Sequence, residues 1–412
     1  MIPLDVSGEV GFMLPLISQV GVTIEPALLP ATVVPGLYVH IPFCFHKCHY
    51  CDFYSITRQT PERMGRFVDL LLREADAWTG ESGPTIWPRT IFFGGGTPTL
   101  LPMDEMRRLI EGLGRRFDLS QVSEWTIEAN PATLGADYAA MLRDAGVHRL
   151  SFGAQSFDPA ELKRLERHHD PEDVPRSVEI ARRAGFERLN VDLIYAIPGQ
   201  DLASWSRSLE SALALNVPHM SCYGLTYESN TPIAVRKRLG LLRQAEESLE
   251  LEMLHYTRHR LKDSGRPAYE ISNYATSGEE CRHNLLYWTG GDYIALGPSG
   301  ASHVQGQRWR NRPHLREWEE AIESGVLPAA DYEKLTPRQR AGELAMLLLR
   351  LERGLEFEEF AARSGFDARE IYAEPIRQLT DLGLIVASAG GIKLSEKGLN
   401  VADAVAAEFV GA

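Results

Sequence analysis

The sequence predicts an α/β protein: an open, partial (β/α)6 barrel followed by a C-terminal winged-helix-like α+β domain. Three observations predict this. Short apolar runs at 37–43, 90–94, 125–129, 149–154, 188–195 and 219–225 alternate with amphipathic stretches such as 102–116, 135–145, 171–184 and 201–215. Polar or glycine-rich residues stand at the carboxyl ends of those runs. Past about residue 230 the alternation stops, and the chain closes with helical stretches and one short hairpin.

Strand–helix alternation specifies parallel strands joined by right-handed crossovers. Six such units are two short of a closed eight-stranded barrel. Residues 241–264 then predict a long helix, and irregular aromatic-rich sequence follows it. The stretches 337–351, 356–363 and 368–383 predict three helices, with a two-stranded wing around Gly390-Gly391 and a last helix after it. The expected division is an N-terminal extension over 1–35, a barrel over 36–230, a flanking region over 231–330 and a winged-helix-like domain over 331–412.

The chain's 412 residues suffice for two or three domains with sizeable cores. Lys and Arg number 43 against 56 Asp and Glu, a net charge of −13, which argues against a general nucleic-acid binder. The C-terminal domain is itself acidic, so it is expected to pack or dock rather than bind DNA. Five cysteines do not make a disulfide framework and fit a reducing, cytoplasmic setting. The first Lys or Arg is Lys47, and Glu25 and several prolines interrupt the apolar residues near the start. Neither a secretory signal nor a membrane span is expected there.

Cys44, Cys48 and Cys51 follow the first apolar run in a C-x-x-x-C-x-x-C spacing. Three thiolates from one loop can hold three irons of a [4Fe–4S] cube and leave one iron open. An open iron can bind S-adenosylmethionine (SAM) through its amino and carboxylate groups. The alternative on spacing alone is structural zinc, because His46 and His49 lie in the loop and Cys3His is a zinc set.

The strand ends that follow favour a bound ligand over a bare turn. Gly94, Gly95 and Gly96 precede Thr97-Pro98 and let backbone approach a ligand closely. Glu128, Gln155 and Asp192 end the next strands, where α/β sheets place ligands. Each alone could be a solvated rim group; four successive ends are hard to explain structurally. Arg167 offers a fork donor for a carboxylate, or is an exposed helix-end arginine.

These motifs carry a resemblance. Residues 37–303 resemble the radical SAM proteins of the oxygen-independent coproporphyrinogen oxidase group, and within it the heme-chaperone branch. The resemblance rests on Tyr38-Val39-His40-Ile41-Pro42-Phe43-Cys44 with Tyr50 before the last cysteine, and on Phe93-Gly94-Gly95-Gly96-Thr97-Pro98-Thr99. It continues in the stretches 151–157 and 192–199 and in the tail. It implies a radical SAM fold in which Cys44, Cys48 and Cys51 ligate the cluster. It also implies a SAM pocket of Tyr38, Gly94, Gly95, Glu128, Gln155, Arg167, Asp192 and Thr226.

Two features separate the branches. The dehydrogenases carry a further cysteine two residues past the third ligand, where this chain has Phe53. His283-Asn284-x-x-Tyr287-Trp288 resembles a signature of the chaperone branch. It implies heme contact at His283, since neutral imidazole is a good axial ligand, with Cys281 a second candidate. Without the resemblance His283 would read as a buried, hydrogen-bonded histidine. The expected function is therefore binding heme and delivering it to client hemoproteins, membrane-associated respiratory ones included. The enzyme alternative is oxidative decarboxylation of coproporphyrinogen III; whether SAM is cleaved stays open. A zinc-stabilised winged-helix regulator is a third reading, and it leaves the strand ends unexplained.

Overall fold

Residues 24–410 are described by the structure, a computed structural model. The six apolar runs form β1 (Val33–Ile41), β2 (Thr85–Gly95), β3 (Glu124–Ala129), β4 (Arg149–Gln155), β5 (Arg188–Tyr195) and β6 (His219–Gly224). They pair in parallel in chain order. Between them run α1 (Pro61–Asp76), α2 (Met103–Gly114), α3 (Ala136–Asp144), α4 (Pro159–Arg164), α5 (Asp173–Arg183) and α6 (Leu202–Ala214). Strands buried on both faces must be apolar along their length, which is why these six stand out in the sequence.

β1 opens at Val33, four residues before the expected run. Its pairing with β2 shifts register between Val34 and Gly36. Pro35 and Pro88 lie in that irregular stretch, where neither can donate to the ladder. Within the expected extension, residues 24–32 pack on the sheet: Ile24 and Leu29 are buried, and Thr85 N donates to Thr32 O at 2.8 Å. The remainder of the expected extension, 1–23, lies outside the described residues.

After β6 come α7 (Pro232–Arg238), α8 (Glu247–Asp263), β7 (Asn273–Ala275), α9 (Arg282–Trp288), β8 (Tyr293–Leu296), β9 (Ala301–Val304), β10 (Gln307–Asn311), α10 (Leu315–Glu323) and β11 (Ala329–Lys334). They carry the sheet to eleven strands in the order β11-β10-β9-β8-β1-β2-β3-β4-β5-β6-β7. β8 is parallel to β1; the other added pairs are antiparallel. The aromatic-rich segment around 283–288, expected to be irregular, is the helix α9.

The C-terminal helices are α11 (Pro337–Leu349), α12 (Phe357–Ser364), α13 (Ala368–Ile371) and α14 (Ala373–Asp381), with α15 (Glu396–Leu399) and α16 (Ala402–Val410) last. The expected third helix is broken at Tyr372 because Pro375 cannot donate to the Ile371 carbonyl. Arg338 Nη2 takes that carbonyl instead, at 2.9 Å. The wing is three-stranded, with β12 (Leu355–Glu356) pairing β14 (Gly391–Leu394), which also pairs β13 (Ile385–Ala387).

One buried carboxylate ties the first helix to the late strands. Glu74 on α1 is 1% exposed and accepts from Gly297 N (2.7 Å), Asn311 Nδ2 (2.7 Å) and Trp318 Nε1 (3.0 Å). Burial pushes its carboxyl up to about 7, against those three donors. Glu74→Ala would orphan the Gly297 amide and the Trp318 indole N–H and leave Asn311 Nδ2 only the Gly297 carbonyl, so urea unfolding is expected to show a loss of about 3 kcal/mol or more. A loss below about 0.5 kcal/mol, the range of ordinary surface substitutions, would contradict this role.

Candidate functional site: the carboxyl-end rim and the cysteine loop

β1 delivers the cysteine loop. Cys44 N donates to Ile56 O at 3.0 Å and Ile56 N donates to Pro42 O at 2.8 Å, which closes the loop at its base. Inside it, Cys51 N donates to Cys48 O at 3.2 Å. His49 N donates to Leu165 O at 3.2 Å, and His49 O accepts from Ile233 N at 3.0 Å, so the loop is held from two sides.

The three thiols are neighbours and largely shielded from water. Burial raises the Cys44 thiol and pushes Cys51 up to about 11, and the charge of Cys48 adds to both. Left alone, the Cys51 thiol would stay protonated at neutral pH; a bound metal group is what holds such a thiol as a thiolate. Cys48 Sγ accepts from Arg167 Nη1 at 3.8 Å, and Thr97 Oγ1 lies 3.8 Å from Cys44 Sγ. Among the described residues, one set of three His, Cys, Asp or Glu ligand atoms lies within 4.8 Å of one another, and it is His46, Glu166 and His168. The sulfurs do not converge on a single ion, and no loop histidine joins them. That suits a wide cube better than tetrahedral zinc, so the residues present fit the cluster.

The glycine loop packs directly on the cysteine loop. Gly96 N donates to Ile41 O at 2.8 Å and Thr97 N to Phe43 O at 2.7 Å. A Cβ on Gly96 would sit 2.6 Å from Phe43 O. Gly95 has φ +105°, and a Cβ there would meet the His40 ring at 2.5 Å. That ring is fixed by a 2.9 Å bond between its Nε2 and Tyr54 O. Only glycine serves at these positions.

The rim residues form one connected set. Gly95 N donates to Glu128 Oε2 at 3.3 Å. Burial pushes the Glu128 carboxyl up to about 8; Asp192 adds to this, and the Gly95 amide opposes it. Asp192 is likewise raised by burial, although Ser221, Asn190 and Ser151 hydrogen-bond to it. Burial and the Glu128 charge both raise the Tyr38 hydroxyl. Gln155 ends β4 with φ +61°, strained backbone of the kind that gathers at functional sites. Arg167 Nη2 donates to Gly153 O, joining this edge to Cys48. Tyr38, Gly94, Gly95, Glu128, Gln155, Arg167 and Asp192 thus gather at one mouth. Thr226 is exposed, and no hydrogen bond joins its side chain to that set.

A polar layer beneath the rim was not expected. Asn190 Nδ2 donates to Ser151 Oγ and Asp192 Oδ1, each at 2.7 Å, and Asn190 Oδ1 bonds His219 Nδ1 at 2.6 Å. Alternate residues of a strand share a face, so the pair at 190 and 192 could have flagged this layer.

His283 lies one layer below Tyr38, and the Phe92 ring stacks on both, 6.2 Å from Tyr38 and 5.4 Å from His283 between centroids. The histidine lies at the amino ends of the strands, where Glu124, Arg149 and Arg188 begin β3, β4 and β5. Its ring is 0% exposed; Nδ1 bonds Thr90 Oγ1 at 2.9 Å and Nε2 bonds Tyr287 OH at 2.8 Å. Burial holds it neutral, down to about 3. The backbone N of His283 (3.1 Å) and the Cys281 thiol (3.4 Å) both donate to Glu124 Oε1, itself ion-paired with Arg188 at 3.1 Å. In this structure both ring nitrogens of His283 are hydrogen-bonded within the protein, and Cys281 is buried beside it.

A family model of the Radical SAM superfamily matches residues 38–212, and one of the HemN C-terminal domain matches 335–401. The heme chaperone HemW of Lactococcus lactis subsp. lactis (strain IL1403) is 32% identical over 90% of this chain and 96% of its own length. HemW of Bacillus subtilis (strain 168) is 33% identical over 91% and 98%. The chain belongs to the HemW family. HemW of Escherichia coli (strain K12) is 38% identical over 64% of this chain and 68% of its own length. The fold also matches the coproporphyrinogen III oxidase HemN of Escherichia coli, described as a radical SAM enzyme, with a TM-score of 0.79 over 91% and 90% of the two chains at 23% identity. In a HemW-family chain the radical SAM domain implies a [4Fe–4S] cluster and SAM.

The raised Glu128 carboxyl sets a pH dependence. Below about pH 8 it keeps its proton, and a cationic ligand must displace it. SAM affinity of the reconstituted chain is expected to fall roughly tenfold per pH unit below that point and to level off above it. Glu128→Gln should bind more weakly with a flat profile; a wild-type profile already flat across pH 8 would contradict the assignment.

Proposed function

We propose that this chain binds heme and hands it to hemoproteins, with a [4Fe–4S] cluster on Cys44, Cys48 and Cys51 and SAM in the rim pocket. The observation that carries this reading is the HemW match over nearly the full length of both chains. Phe53 supports it: 67% exposed, it stands where the dehydrogenase branch has its extra cysteine. Cys44, Cys48 and Cys51 supply thiolates, Arg167 steadies Cys48, and Glu128 and Asp192 supply acceptors to a sulfonium nucleoside. Clients that include membrane-associated respiratory hemoproteins fit this role. Among the described residues no helix is long and apolar enough to cross a membrane.

His283 enters this reading as a structural residue. Its nitrogens and backbone knit β2, β3 and α9 together, so the axial ligand of heme is sought elsewhere.

Decarboxylation of coproporphyrinogen III is the second reading, favoured by the shared fold with HemN and disfavoured by Phe53. Anaerobically reconstituted protein is expected to shift the Soret band of added heme. Given coproporphyrinogen III, SAM and a reductant, it should release no protoporphyrinogen; turnover would overthrow the chaperone reading. His283→Ala is expected to cost about 2–4 kcal/mol of stability through its cavity and orphaned partners. It should leave the Soret position unchanged, and a lost Soret shift in a folded variant would return His283 to the heme site.

A further inference from the structure

A ligand set stands beside the cysteine loop that neither the cluster nor SAM uses. His46 lies between Cys44 and Cys48, while Glu166 and His168 flank Arg167 on the segment between α4 and α5. One ligand atom from each of the three lies within 4.8 Å of the others. The imidazoles of His46 and His168 meet edge to face, centroids 4.4 Å apart at 67°, and His46 Nε2 is 3.8 Å from Glu166 Oε2. Among the described residues no other hydrogen-bonding partner takes these rings. Glu166 adopts φ +55°, a left-handed backbone that a glutamate seldom takes. An exposed His–Glu pair alone would explain little, since such pairs contribute little to stability. Two imidazoles and a carboxylate turned together form a known donor set for a zinc-class ion, with water in the remaining position.

We propose that His46, Glu166 and His168 bind one divalent transition-metal ion of the zinc class, which clips the cysteine loop to the segment carrying Arg167. The two segments already meet through the 3.2 Å bond from His49 N to Leu165 O and through Arg167 Nη1 on Cys48 Sγ at 3.8 Å. An ion bridging His46 to Glu166 and His168 adds a third tie on the solvent side. The site is separate from the thiols, so ion and cluster are held together, not in exchange. Its occupancy would stiffen the loop that presents the cluster without touching SAM or heme.

The test uses the full chain with its cluster reconstituted, so that the cysteines are already engaged, and Co2+ as the probe. One equivalent is expected to bind with visible d–d bands and without a sulfur-to-cobalt charge-transfer band, and Zn2+ should displace it. The double variant His46→Ala/His168→Ala should weaken binding at least tenfold while cluster absorbance is unchanged, and Glu166→Gln should weaken it by a smaller factor. Zinc-saturated wild type should also lose its cluster to oxygen more slowly than zinc-free protein, a difference absent from the double variant. No bound Co2+, equal affinity in the variants, or a thiolate charge-transfer band would overturn the site. Equal rates of cluster loss with and without zinc would overturn the clip.

Discussion

Everything at the mouth of this barrel depends on how the ends of two neighbouring parallel strands are stacked. The register of β1 on β2 pairs His40 with Gly94 and Ile41 with Gly95, so the chain leaves both strands at the same level. The cysteine loop and the glycine loop then share backbone bonds, Gly96 N to Ile41 O and Thr97 N to Phe43 O. This contact tolerates no side chain at 95 or 96. A slip in that pairing would separate the thiols from the residues meant to serve them. Glu128, one strand further, is fixed through the Gly95 amide, and Asp192 is coupled to Glu128 by charge.

The barrel keeps its two ends for different purposes. The mouth holds raised carboxyls, strained backbone and three clustered, largely shielded thiols, all of which cost stability and suit a ligand. At the amino-end floor Glu124 accepts from His283 N and the Cys281 thiol and pairs with Arg188. Thr90 and Gly95 lie about 17 Å apart along β2 at roughly 3.3 Å per residue, and the stacked rings of His283, Phe92 and Tyr38 run between floor and mouth. α9 is the pin between floor and C-terminal module. Its His283 and Tyr287 point into the barrel, while Leu285 and Trp288 pack on the module's core, where Arg350 lies 4.7 Å above the Trp288 ring. The His-Asn-x-x-Tyr-Trp pattern thus has a structural rationale independent of heme.

Much of this was legible in the residues because the physics is local. Buried parallel strands leave continuous apolar runs, and the polar residues that end them mark the rim. What was hidden is non-local. β8 is four residues long, and nothing in Tyr293–Leu296 announces that it extends the sheet beside β1. α9 spans seven residues with aromatics on both faces, because both faces are covered. Asn190 and His219 were lost inside apolar runs, although each is buried in a hydrogen-bond network. His283 shows the limit of a motif: residue identity suggested a ligand, and only the three-dimensional partners reveal that both nitrogens are occupied.

The central claim is a cube held at three corners by Cys44, Cys48 and Cys51, with its fourth corner open to SAM. The most direct measurement is the EPR spectrum of the anaerobically reconstituted, reduced chain with and without SAM. A [4Fe–4S]+ signal whose g values move when SAM is added is the predicted result. Zinc without iron at the cysteines, or a cluster signal indifferent to SAM, would contradict the account.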